Sequence, residues 1–127
     1  MKKLLLGLCV VIVLLIGFMF SKMKETQEMS DALTFQSVDL SKIEDGNYMG
    51  TCQTGLVKVV VSVQVKDGRL RSIDLMTHEH GLGKEAEKIT EQMLQQNRID
   101  VDEISGATIS SRAIRKACEA ALSFDQG

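Results

Sequence analysis

The sequence predicts an α+β fold in which a small antiparallel sheet is covered by two helices and preceded by one N-terminal transmembrane helix. Three observations predict it. Leu4 to Phe20 is a run of 17 residues without a charge. Val57, Val59, Val61, Val63 and Val65 recur at period two just before an Asp67-Gly68 turn. Two later stretches carry apolar residues at helical spacing.

The apolar run lies between Lys2 and Lys3 on one side and Lys22 and Lys24 on the other, a membrane-targeting pattern. It is longer than the roughly 7 to 15 residues of a signal-peptide core. Its exit, Gly17-Phe18-Met19-Phe20-Ser21, offers no small-x-small cleavage pair. Residues 1–24 are therefore expected to be an uncleaved anchor whose flanking lysines snorkel to extend a slightly short span. Cys9 follows Leu8, where a lipid-modified cysteine would need a small residue, so it reads as a lipid-facing or packing residue.

The N-terminal amine, Lys2 and Lys3 orient the start toward the cytoplasm and the body outward. This predicts a single-pass protein of the cell membrane with its domain on the extracytoplasmic side. Of the 15 basic residues, 4 precede position 25, and none of the 17 acidic ones does, so the remainder carries a net charge of −6. That charge argues against nucleic acid and against adhesion to an anionic lipid surface.

Residues 25–44 read as a polar tether of weak order, with room for a short helix that packs on the domain. Asp45-Gly46 begins the domain, residues 45–127, with a turn, and Asn47 to Gln53 forms a first strand. After Thr54-Gly55, Leu56 to Lys66 is the valine strand, too rich in β-branched residues for a helix. Arg69 to Met76 alternates Leu70, Ser72, Asp74 and Met76 against Arg69, Arg71, Ile73 and Leu75, as a strand paired antiparallel to it. Lys84 to Asn97 places Ala86, Ile89, Met93 and Leu94 on one helix face. A second helix follows Thr108, with Ile109, Ala113, Ile114, Ala117, Ala121 and Leu122 inward and Arg112, Arg115, Lys116 and Glu119 toward water.

Between the two helices stands Asp102-Glu103-Ile104-Ser105-Gly106-Ala107-Thr108, followed by Ile109-Ser110-Ser111, the densest run of small residues and hydroxyls in the chain. A glycine turn entering a helix leaves backbone N–H groups unpaired and faces the positive end of the helix dipole, which is a phosphate site. Local chemistry also allows a plainer reading, in which Ser105 or Thr108 merely caps the helix and no ligand exists.

Three stretches carry a resemblance. Asp45-Gly46-Asn47-Tyr48-Met49-Gly50 resembles an opening D-G-x-Y-x-G, the valine strand with Asp67-Gly68 resembles a central hairpin, and Asp102 to Thr108 resembles D-x-x-S-G-A-T. Together they are similar to the FMN-binding domain of the C subunit of sodium-translocating NADH:quinone reductase and of the G subunit of the Rnf complex. The resemblance implies that a flavin transferase moves FMN from FAD, with Mg²⁺, onto Thr108 as a covalent phosphoester. It implies roles in recognition and fit for Asp102, Ser105, Gly106 and Ala107, and Ser111 joins the expected binding set. Family members often carry Glu-Thr-Pro-Gly-Leu-Gly before the first helix, where this chain has His78-Glu79-His80-Gly81-Leu82-Gly83. Gly81, Leu82, Gly83 and His78 are accordingly expected near the flavin.

His78 and His80 share a spacing that can pin a metal, yet no further ligand joins them, and no metal is expected. Cys52 and Cys118 are too few for a disulfide scaffold, and two separate thiols are expected over one bridge. Without a nucleotide-binding fold, a metal cluster or a nucleophilic triad, the expected function is an electron-transfer flavoprotein rather than an enzyme complete in itself. It would work between a membrane redox donor and an extracytoplasmic acceptor. A noncovalent FMN or phosphate-binding sensor module and a cofactor-free surface domain are the alternatives.

Overall fold

The computed structural model describes residues 1–79 and 84–123. Helix α1 runs over Lys2–Asp31, strands β1, β2 and β3 over Gly46–Thr54, Val57–Lys66 and Arg69–Glu79, and helices α2 and α3 over Ile89–Gln96 and Thr108–Ser123. Short 3-10 turns lie at Leu40–Lys42 and Lys84–Lys88.

The sheet is a meander in the order β1-β2-β3, antiparallel throughout. Gly55 and Gly68 take positive φ at its two hairpins, a conformation glycine adopts without a Cβ penalty. All five period-two valines of β2 are buried, and α3 covers β1 and β2 while α2 packs on β3. Leu40 and Ile43, around the first 3-10 turn, are buried as well, so the short packed helix anticipated in the tether is there.

In β3 the strict alternation read from the sequence does not hold. Val65 pairs with Leu70 and Gln64 with Ser72, so Arg71 is an extra residue that forms a bulge. The bulge re-aims the strand, and Leu70 and Ile73 both reach the core although they are three positions apart. A second irregularity leaves Met76 without a register partner.

Gly50 of β1 lies flush against α3: a Cβ there would run into the carbonyl oxygen of Ala117 and stand 2.5 Å from the nitrogen of Ala121. Ala117 and Ala121 are themselves buried, so at Gly50 the helix meets the strand through small residues. At the end of α2, Asn97 adopts the left-handed conformation, and its Oδ1 accepts the Leu70 N–H at 2.8 Å. That bond fixes α2 to the second hairpin.

The stretch expected to begin as a loose tether at Glu25 opens as seven more residues of α1. Thr26 is buried, and its Oγ1 accepts the Leu56 N–H at 3.0 Å while donating to the Lys22 carbonyl at 2.9 Å. Residues 31–35 then lie along α3. Lys116 Nζ donates to the Thr34 carbonyl at 2.7 Å, Arg112 Nη1 stands 3.4 Å from Asp31 Oδ1, and the Arg115 guanidinium lies 4.2 Å from the centre of the Phe35 ring.

This corrects the polar face assigned to α3. Glu119 is only 5% exposed and receives a hydrogen bond from Lys116 at 3.0 Å, and Arg112 and Arg115 are largely covered. The cause is a segment about 80 positions away in sequence, which helical periodicity cannot register.

Candidate functional site

The segment from Ile99 to Thr108 carries the chain from α2 to α3, and it is held at both ends by apolar anchors. Ile99 and Val101 are buried at one end and Ala107 at the other. Between them Asp102, Ser105 and Gly106 are exposed.

A tight turn delivers the chain into α3. The Ala107 N–H donates to the Ile104 carbonyl at 3.0 Å, and Gly106, at φ 81°, occupies the position that demands a positive φ. A Cβ built on Gly106 would meet nothing within 4 Å, so the space beside it is open. Glycine is needed here for its backbone angle, and the open side gives a bulky group access.

Ser111 braces this turn from inside the helix. Its fully buried hydroxyl donates to the Ala107 carbonyl at 2.7 Å and accepts the Ile104 N–H at 3.0 Å. It acts through the turn and belongs to the scaffold of the site.

Thr108 is the first residue of α3 and is exposed. Among the described residues, neither its hydroxyl nor that of Ser105 makes a hydrogen bond, so the plainer reading of either as a helix cap does not describe this turn. The first N–H groups of a helix have no intrahelical partner, so those of Thr108, Ile109 and Ser110 stand at the positive end of the helix dipole, next to the turn at Gly106. These residues fit a phosphate on Thr108: a free hydroxyl, open space and nearby donors coincide.

Ser105, Gly106 and Ala107 thus lie in the turn, Thr108 and Ser111 at the start of α3, and Asp102 in the exposed stretch two residues before the turn. Gly81, Leu82, Gly83 and His80 lie outside the described residues. His78, in β3, pairs through its backbone with Val59 of β2, and its side chain likewise lies outside them. Arg112 is a neighbour that sequence reasoning left facing water. It stands one helical turn after Thr108, on the same side, with Nε 3.3 Å from Glu103 Oε1. The i, i+4 spacing from Thr108 was the signal that could have found it.

The two cysteines of the domain are buried and free. Burial pushes the Cys118 thiol up to about 12, and burial likewise raises that of Cys52 against the opposing pull of the Thr54 hydroxyl and Lys116. Both are poor nucleophiles in this setting.

Comparison with known families matches residues 54–123, from the last residue of β1 to the last of α3, to the FMN-binding domain. No curated protein matches the chain.

Proposed function

The chain belongs to the FMN-binding domain family, and on that premise we propose that it is a membrane-tethered extracytoplasmic electron carrier whose FMN is joined to Thr108 through a phosphoester. The observation that carries this reading is the exposed, unengaged hydroxyl of Thr108 at the start of α3, beside the open turn at Gly106.

Attachment would be the work of a flavin transferase. The Thr108 oxygen would form the new bond to the FMN phosphorus of FAD as the pyrophosphate linkage breaks and AMP leaves, and its hydroxyl proton would pass to a base of the transferase. Asp102, Ser105, Gly106 and Ala107 supply the recognised turn. The amides of the first turn of α3 would hold the charge of such an ester, with the Arg112 cation one turn further along the helix.

The flavin, when bound, supplies the acceptance and release of electrons. A covalent link keeps it from diffusing away on the outer face of a membrane. The donor and acceptor are a membrane redox protein and an extracytoplasmic partner. Helix α1, long and apolar enough to span a bilayer, supports the tethered arrangement.

Intact-mass analysis of the full chain after co-expression with a flavin transferase tests the proposal. The expected result is an FMN adduct that maps to the Thr108 peptide. Flavin that leaves the protein on a denaturing gel would instead support a noncovalent module, and a chain that takes up no flavin at all would overturn the carrier reading.

A further inference from the structure

Leu56 is 57% exposed at the tip of the β1–β2 hairpin, and that tip is clasped to the membrane helix. The clasp has two parts. The Leu56 N–H donates to Thr26 Oγ1 at 3.0 Å. Gly55 packs on the α1 backbone so closely that a Cβ would meet the Thr26 hydroxyl oxygen and lie 2.7 Å from the Thr26 Cα.

The level of Thr26 follows from helix geometry. Leu4 to Phe20 covers about 26 Å at about 1.5 Å per residue, short of a hydrocarbon core of about 30 Å. A continuous helix through Lys22 and Met23 fills the difference, with Lys22 snorkelling outward. Thr26 then lies about 5 Å beyond the core edge, inside a headgroup layer roughly 5 to 8 Å deep. The hairpin tip beside it is at the same depth, and its outermost side chain is a leucine.

We propose that the Gly55-Leu56 tip is a second membrane contact, with Leu56 seated at the boundary between headgroups and acyl chains of the leaflet from which α1 emerges. It rests on the reading of α1 as a membrane span. The partner is the lipid surface itself, met through an apolar residue and not through charge, consistent with the acidic balance of the domain. The domain is then held at two points and lies down on the bilayer.

The chain contains no tryptophan, so Leu56→Trp in the full-length protein is a single reporter. Reconstituted into phosphatidylcholine vesicles, it should show blue-shifted emission and lose intensity when the lipids carry bromine near the headgroup end of the acyl chain. Correct folding of the variant is read separately, as protection of Cys52 and Cys118 from a water-soluble maleimide. Protein that floats with the vesicles, protects both thiols and yet emits as in water, unquenched, overturns the contact while leaving the span intact. Protein that does not float overturns the span and the contact together. Adding Thr26→Val should reduce the quenching, since the clasp loses its acceptor; undiminished quenching would show that Thr26 does not set the depth of the tip.

Discussion

The hydroxyl of Ser111 accepts a hydrogen bond from the backbone N–H of Ile104, seven residues earlier, at 3.0 Å. Through that bond a residue inside α3 fixes the turn that presents Thr108. Support of the turn and the proposed attachment at Thr108 are therefore separable. Thr108→Ala should abolish the FMN adduct with little change in stability. Ser111→Ala, which leaves a partly buried donor without its partner, should lower stability by about 1–3 kcal/mol and keep the adduct. Intact mass together with denaturant unfolding of both variants checks the pair.

Gly50→Ala should be among the most damaging small substitutions in the domain. The added methyl group meets the backbone of α3 at Ala117 and Ala121, which no rotamer change can move aside. A loss of about 1–3 kcal/mol or more is expected, measured as a fall in the denaturant midpoint.

Phe35→Ala should free the segment that crosses α3. Phe35 lies under Arg115 at 4.2 Å, with Arg112 and Lys116 at 5.8 and 6.0 Å from its ring centre. Loss of such contacts costs about 0.5–1 kcal/mol each at a partly exposed site. Hydrogen exchange should quicken over residues 31–36 and leave the β2 amides protected.

Cys118 makes stability fall at high pH. Its ordinary value of 9.0 applies to the unfolded chain, and burial raises the folded value to about 12. Above pH 9 the unfolded state loses a proton that the folded state retains, so the Cys118 contribution is intact below that point and is lost as pH rises toward 12. The stability difference between the protein and its Cys118→Ala variant should therefore be level up to pH 9 and shrink above it. A difference that stays flat to pH 11 would contradict this.

The valine strand, the Asp67-Gly68 hairpin and the apolar face of α3 were legible because each is a local periodicity with one dominant cause. Bulges were not, since Arg71 is an ordinary strand residue whose displacement is decided by what Leu70 and Ile73 can reach in the core. Nor was the cover over Arg115, which depends on Phe35 returning from far along the chain. At the candidate site, the glycine turn that leads into the helix beginning at Thr108 was readable from residue type alone. The role of Ser111 as a brace was not, because a serine in the first turn of a helix looks the same whether it faces a ligand or its own backbone.

The meander also bears on how the domain assembles. Each strand pairs with its immediate neighbour across a tight hairpin, so the sheet requires only short loop closures, whereas Gly50 and Ala117 must meet across more than half the chain. Closing that long loop carries the larger entropic cost. The hairpins are expected to form early and α3 to dock late, so substitutions in the Gly50–Ala117 contact should speed unfolding far more than they slow folding. The helix that bears Thr108 would thus be the last element to lock and the first to leave.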